Sequence, residues 1–238
     1  MGMVQETQPS YDLYQTFFST SDTGHGGAAR DRTYVIGSHG DRTSCEVDPE
    51  EVKDIISKRM KGKVRTVPSD YFMAQLVEVE LEAQQLACKR KVEYKEGCRD
   101  FRYLLTEREK RALQSYESSY LREFGEEAHL NPNLVVFLGD NGSTWKTWSA
   151  KSNQISTFRK NSKTGLYWSP HLQRFMVARE KLAALAWPVT GTMAKAMCCG
   201  QIPSQDIHRA ADLAGNAMHF TTVAVAQLLA LACFRPLD

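Results

Sequence analysis

The stretch ARDRTYVIGSHGDR, residues 29–42, contains the clearest strand signal in the chain. The β-branched and aromatic residues of TYVIG are typical of a strand, and Gly37 with the polar residues after it indicates a turn. Two arginines, Arg30 and Arg32, stand at the start of this strand, after a glycine-rich loop. Because residues two apart on a strand point to the same side, we expect two like charges on one face. Such a pair suits an anionic or carbonyl-rich ligand, and a solvated charge or salt bridge is the structural alternative.

Length and composition indicate an ordinary globular protein. The chain has 238 residues, of which 42% are hydrophobic and 24% charged, so it suffices for one full domain or two small ones. The formal net charge of +2 indicates no particular partner. No run of about 18 apolar residues exists, so we expect no membrane partner. The N-terminal residues lack the features of a signal peptide, which favours an intracellular protein.

The cysteines do not indicate a metal site. They show neither a Cys-x-x-Cys pair nor a spacing with histidine that is typical of zinc ligands. We therefore expect no metal and reduced thiols, as in intracellular proteins. The six cysteines are Cys45, Cys88, Cys98, Cys198, Cys199 and Cys233.

Several helices have clear ends in the sequence. Asp48 and Pro49 are a cap and a first helical residue, and that helix is expected to end near Met60. Thr106 with Glu109 matches a capping box, and Gly125 is a plausible stop for the helix that follows. Other expected elements are a short helix over 11–20, a helix starting at Ser69-Asp70, a strand over 134–140, and helical stretches within 177–187 and 210–234.

The segment 141–179 is basic and aromatic. It has no acidic residue between Asp140 and Glu180. Cations neutralise phosphates and aromatic rings stack on bases, so this composition indicates nucleic-acid binding. The alternative is a solvated basic loop over a small aromatic core. The segment contains Lys146, Lys151, Arg159, Lys160, Lys163, Arg174 and Arg179, interleaved with Trp145, Trp148, Phe158, Tyr167, Trp168 and Phe175.

The stretch LAGNAMHF, residues 213–220, interrupts an apolar run with Gly-Asn. An isolated glycine of this kind indicates a turn or a close backbone approach. Alternatively, Asn216 caps the start of a helix, and a capped helix start is also a place where ligands bind.

These three features occur in the order found in the C-terminal half of cytosine-C5 DNA methyltransferases, which the chain resembles. ARDRTYVIG is similar to the family's Gln-x-Arg-x-Arg and Val-Tyr-Ile-Val-Gly, and Asp22-Thr23-Gly24 resembles the Asp-Tyr-Gly before it. QISTFRKNS (154–162) resembles the end of the target-recognition region, and RFMVAREKLAALAWPV (174–189) resembles the segment after it. Gly215-Asn216-Ala217 is similar to the last family motif, with Met218 and His219 in place of valine and proline.

The resemblance implies an α/β fold. The expected fold would consist of a partial Rossmann-like methyltransferase sheet, with its late strands and closing helix, and a mixed, helix-rich target-recognition region. The expected segments are 1–44 for the last strands of the catalytic domain, 45–173 for an insertion and the recognition region, and 174–238 for the return to the catalytic domain with the closing C-terminal helix.

The resemblance also implies roles for single residues. Arg30 would contact a phosphate beside a flipped nucleotide, and Arg32 would approach the cytosine carbonyl, so both count as catalytic. Asn216 and Ala217 would border the methionine end of S-adenosylmethionine. The DNA-binding residues, expected to face the major groove of double-stranded DNA, would be Lys146, Lys151, Arg159, Lys160 and Lys163.

Family motifs for the chemistry itself are missing. The chain has no Pro-Cys nucleophile, no Glu-Asn-Val and no glycine-rich cofactor loop after a first strand, and both Cys45 and the pair Cys198-Cys199 are wrongly placed. We therefore expect a part of a DNA (cytosine-5-)-methyltransferase that is inactive alone, located in the nucleus, with a complementary N-terminal catalytic half as a partner. The alternatives are a catalytically dead DNA-binding module and a globular interaction domain that docks through helices at 70–95 and 106–124.

Overall fold

The computed structural model describes residues 6–142, 144–159, 165–204 and 206–237. These residues form seven α-helices and small antiparallel sheets, which confirms a mixed α/β protein. The chain divides into two compact units: the terminal unit, Met1–Arg65 with Met218–Asp238, and the central unit, Thr66–Ala217. The two units are defined by packing and not by function. The three functional segments expected from the sequence therefore stay a prediction.

The helices and strands are named in chain order. The strands are β1 (Tyr11–Phe18), β2 (Arg32–His39), β3 (Thr43–Cys45), β4 (Val136–Phe137), β5 (Tyr167–Ser169), β6 (Arg174–Phe175) and β7 (Phe234–Pro236). The helices are α1 (Pro49–Met60), α2 (Leu76–Arg90), α3 (Glu107–Phe124), α4 (Ala178–Ala184), α5 (Gly191–Ala196), α6 (Ile207–Asn216) and α7 (Phe220–Ala232). The described strands pair in the antiparallel sense as β1-β2, β3-β7 and β4-β5-β6, and a Rossmann-like sheet is not shown.

The terminal unit is built around an antiparallel hairpin. All eight residues of β1 pair with β2, from Tyr11 opposite His39 to Phe18 opposite Arg32. The short helix expected over 11–20 is therefore wrong. Alternate residues of β1 face inward, and Thr16 and Phe18 are buried, so the period-two pattern and the long-range pairing override the local helix signal.

Helices α1 and α7 complete the terminal unit. The carboxylate of Asp48 accepts a hydrogen bond from Glu50 N at 2.9 Å, and α1 ends at Met60, which confirms both predicted ends. FTTVAVA, whose β-branched residues favour helix and strand about equally, lies in α7. Phe18 from β1 packs with Leu229 and Cys233 in the core of this unit.

In the central unit, α3 begins and ends as predicted. Thr106 caps it together with Glu109, and Gly125 ends it in the left-handed conformation with φ of 74°. The helix expected from Ser69-Asp70 is displaced, because these residues form a 3-10 turn and α2 begins only at Leu76. Of the strand expected over 134–140, only Val136–Phe137 pairs with β5.

Two buried ion pairs tie the central unit together. Arg174 holds both carboxylate oxygens of the fully buried Glu180 at 2.7 and 2.9 Å, and Arg90 does the same with Glu109 at 2.6 and 2.9 Å. Both carboxylates also accept backbone hydrogen bonds, Glu180 from Ala74 and Val177. A search of the described helices finds none that is both long and apolar enough to span a bilayer.

Candidate functional site

The loop between β1 and β2 contains the Asp22-Thr23-Gly24 segment that resembles the family motif. It forms a 3-10 turn over Thr20–Thr23, in which Ser19 N donates to the Asp22 carboxylate at 2.8 Å. Gly24 follows with φ of 86°, and a side chain there would meet the carbonyl oxygen of Met60 at 3.1 Å. Glycine is therefore required at this position.

Two histidines join this loop to the start of α7. Nδ1 of His25 lies 2.8 Å from Nε2 of His219, and Nδ1 of His219 lies 3.1 Å from Thr221 Oγ1. Burial lowers the pKa of His25 to about 4 and that of His219, which also faces His25, to about 3. Both rings are therefore neutral at pH 7, and one donates its N–H to the other.

The structure places the two arginines differently from each other. β2 begins at Arg32, so Arg30 lies in the loop, and the expectation that both share one strand face is wrong. Arg30 is buried, with 5% of its surface exposed. Arg32 is half-buried opposite Phe18, and its Nη1 donates to Asp31 O at 2.7 Å. No described contact tests their assignment as catalytic residues.

The two residues assigned to the cofactor lie at the end of α6. Asn216 is the last residue of that helix and does not cap the start of α7, whose N-cap is His219. Its side-chain amide donates to Asp212 O at 3.0 Å, and Ala217 beside it is buried. The cavity that Gly215 lines measures about 20 Å³, whereas small-molecule sites measure roughly 300 Å³ or more.

The described cations of the basic segment are paired with carboxylates. Lys146 and Lys151 both contact Glu123, at 3.4 and 2.6 Å. Arg159 holds Asp140 with two hydrogen bonds of 2.8 Å, and its guanidinium group lies 4.7 Å from the ring centre of Phe137. Lys160 and Lys163 lie outside the described residues.

Most aromatic residues of this segment form a core, as its structural alternative predicts. Four of them are buried, namely Phe158, Tyr167, Trp168 and Phe175. Trp148 packs edge-on against Tyr120 with ring centres 6.1 Å apart. Trp145 differs, because 70% of its surface is exposed. It is therefore the aromatic side chain of this segment best placed to stack on a ligand.

Sequence reasoning missed several groups. Burial raises the pKa of Glu82 to about 7 despite the positive charge of Lys181 nearby, and the Glu82 carboxylate accepts from Ala178 N at 2.8 Å. Sequence reasoning also missed the pair of His25 and His219, since no local pattern shows that two positions 194 residues apart are in contact. Arg108 and Arg111, by contrast, were visible in principle as cations three apart on one helix.

Among the described residues, no three His, Cys, Asp or Glu side chains are placed to hold a metal ion.

Comparison of the chain with known protein families gives no match. A comparison with curated proteins gives no match either.

Proposed function

We propose that this chain is the C-terminal part of a DNA (cytosine-5-)-methyltransferase that binds double-stranded DNA and acts in the nucleus. In this proposal, β1 and β2 are the late strands of a Rossmann-like catalytic sheet and α7 is its closing helix. A complementary catalytic half supplies the thiol nucleophile and most of the S-adenosylmethionine site. The chain alone binds DNA and does not transfer a methyl group.

One observation supports this proposal above the others: within the terminal unit, two segments that resemble family motifs, Asp22-Thr23-Gly24 and the β2 strand, are hydrogen-bonded to the first turn of α7, the helix that follows the last motif. Thr23 in the turn after β1 is hydrogen-bonded to Thr221 at 2.9 Å, and Tyr34 on β2 to Thr222 at 2.9 Å. These partners lie 198 and 188 residues apart in sequence. In the proposed enzyme, these bonds hold the late strands against the closing helix.

Exposed apolar side chains of the terminal unit support a protein partner. Phe17 and Val35, on the outer face of the hairpin, are 52% and 51% exposed. α7 contains no charged residue, and its Leu231 is 80% exposed. Since a helix that is apolar all round is normally buried, these surfaces fit a chain that a catalytic half covers.

In the proposed enzyme, Arg30 contacts a backbone phosphate and Arg32 the carbonyl of a flipped cytosine. Asn216 and Ala217 border the methionine end of the cofactor. Arginine suits both DNA contacts, since its N–H groups form a rigid fork and its charge does not titrate. Flipping exposes the base edge that such a contact needs.

The second candidate is a DNA-binding module without catalysis, and the missing Pro-Cys favours it. Both candidates require duplex binding, and they differ in the role of Arg32. Binding of a labelled cytosine-containing duplex to Arg32→Gln and to the matched control Arg42→Gln, an exposed arginine of the same unit, separates them. We expect at least about fivefold weaker binding for Arg32→Gln and less than twofold for the control. Equal losses of duplex affinity in the two variants favour the DNA-binding module. If the wild type does not bind the duplex, both candidate functions are contradicted.

A further inference from the structure

A groove in the central unit runs between the first turns of α3 and the loop after β4. It has a volume of about 450 Å³ and is lined by Arg108, Arg111, Ala112, Ser115, Asp140 and Asn141. The loop packs directly on the helix. A side chain at Gly142 would come within 3.3 Å of Ser115 Oγ, and Thr147 N donates to the Tyr116 hydroxyl at 3.0 Å. Both walls of the groove are therefore fixed to each other.

The helix wall presents two guanidinium groups. Arg108 and Arg111 lie three residues apart, so they share one face of α3, and both side chains are exposed. Nη1 of Arg108 donates to Gly139 O across the groove at 3.3 Å. The neighbouring carboxylate of Glu107 is held by Lys110 at 2.7 Å. Nε of Arg111 donates to Glu107 O at 3.3 Å, and both guanidinium groups line the groove.

The acidic residue in the groove does not cancel this charge. Both oxygens of Asp140 are held by Arg159 at 2.8 Å, and Thr147 Oγ1 donates to the same carboxylate. Among the described residues that line the groove or hold its rim, there are thus three guanidinium groups and one carboxylate. An excess of arginine around a concave surface attracts phosphates and holds them in fork geometry.

An exposed aromatic residue stands on the same loop. Thr144 N and Trp145 N both donate to Asn141 O, at 3.0 and 2.9 Å, so a turn that begins at the groove presents the Trp145 ring. With 70% of its surface exposed, this ring is free of the core that holds the other aromatic residues of the segment. An exposed aromatic ring near a basic groove is a surface on which unpaired nucleic-acid bases stack.

We propose that this groove binds the nucleic-acid backbone, with phosphates on Arg108 and Arg111 and a base stacked on Trp145. The inference rests on the proposed function and assigns the DNA contact of the central unit to α3 and to residues 139–142 and 144–147. Phosphates alone would fit a phosphopeptide as well. The exposed ring on the loop that forms one wall of the groove is what favours a nucleic acid.

The test measures binding of a fluorescein-labelled duplex with a short single-stranded extension, whose unpaired bases are able to stack on Trp145, by anisotropy at several salt concentrations. The variants are Arg108→Gln with Arg111→Gln, Trp145→Phe, and a control that removes two exposed cations elsewhere in the unit, Lys89→Gln with Arg122→Gln. For the double groove variant we expect about tenfold weaker binding and a salt slope lower by about 1 to 2, because each phosphate contact releases counterions. The control stays within about twofold of the wild type, a change expected of cations that contact no phosphate.

Trp145→Phe provides an independent readout. We expect about fivefold weaker binding, an unchanged salt slope, and loss of the tryptophan quenching that DNA causes in the wild type. A polyglutamate peptide should not quench Trp145. If it quenches as DNA does, the surface is a general anion surface and the inference is overturned.

The outcomes separate this inference from the proposed function. If the duplex binds and Arg32→Gln weakens it, but the groove variants behave like the control, the groove inference is wrong and the proposed function stands. If the wild type does not bind a duplex at all, both are wrong. Circular dichroism of each variant checks that it is folded, and since Trp145 is exposed, its replacement leaves the fold intact.

Discussion

The hydroxyl of Tyr34 lies 2.9 Å from Thr222 Oγ1 and so joins the β2 strand to the first turn of α7. Thr222 Oγ1 donates to His219 O at 2.9 Å, so it accepts from Tyr34. These two hydrogen bonds connect the N-terminal hairpin to the C-terminal helix within the terminal unit. Both bonds depend on the hydroxyl of Thr222, a residue that is 1% exposed.

Thr222→Val should therefore destabilise the terminal unit. Valine keeps the shape but leaves the Tyr34 hydroxyl without its acceptor, so we expect a loss of about 1–2 kcal/mol in the free energy of unfolding. Urea unfolding measures it, with Thr33→Val on the exposed side of β2 as the control. A double-mutant cycle with Tyr34→Phe should give a coupling of about 0.5–1.5 kcal/mol. Zero coupling would show that the bond contributes nothing.

The histidine pair predicts a pH dependence of stability. Burial lowers the pKa of His25 to about 4 and of His219 to about 3, below the value of about 6.5 in the unfolded chain. Between these values the unfolded chain binds more protons, so stability is fully present above pH 6.5 and is lost as the pH falls towards 4. The expected slope is up to about 1.4 kcal/mol per pH unit for each histidine. His219→Gln should flatten the curve, whereas His208→Gln, an exposed control, should not.

The buried carboxylate of Glu180 predicts a large stability loss. Glu180→Gln leaves the guanidinium group of Arg174, a residue that is 9% exposed, without its counter-charge. Breaking a buried ion pair in this way costs about 3–5 kcal/mol, which urea unfolding of the central unit detects. Glu107→Gln, which removes an exposed partner of Lys110, is the control and should leave the unfolding midpoint unchanged. Equal midpoints for both variants would contradict the importance of the buried pair.

The shared carboxylate of Glu123 predicts a gain of DNA affinity. It pairs with both Lys146 and Lys151, so it competes with phosphates for these lysines. We expect Glu123→Gln to strengthen duplex binding about two- to fivefold and to steepen its salt dependence. Anisotropy titrations measure both quantities. A weaker or unchanged affinity would mean that Lys146 and Lys151 do not face DNA.

The sequence predicts the elements whose signals are local. The cap at Asp48, the capping box of Thr106 with Glu109 and the stop at Gly125 are all observed, since each depends on a few neighbouring residues. β1 was missed because YDLYQTFF becomes a strand only by pairing with β2 far along the chain.

Candidate site residues show the same limit. Composition singled out Lys146, Lys151 and Arg159 as cations. It does not reveal that Glu123, 23 positions before Lys146, pairs with both lysines, or that Asp140 pairs with Arg159. Likewise, the exposed Trp145 and the buried Trp168 look alike in the sequence. Which aromatic residue faces solvent is decided by tertiary packing and not by local pattern.

The decisive experiment compares the affinities of the chain for two duplexes that differ at one cytosine, which is paired with guanine in one and mismatched in the other. A protein that holds a flipped cytosine binds the mismatched duplex more tightly, since less pairing energy is lost on flipping. We predict at least about fivefold preference for the mismatch in the wild type and none in Arg32→Gln. Equal affinities of the wild type for the two duplexes would contradict the proposal that this chain belongs to a cytosine methyltransferase.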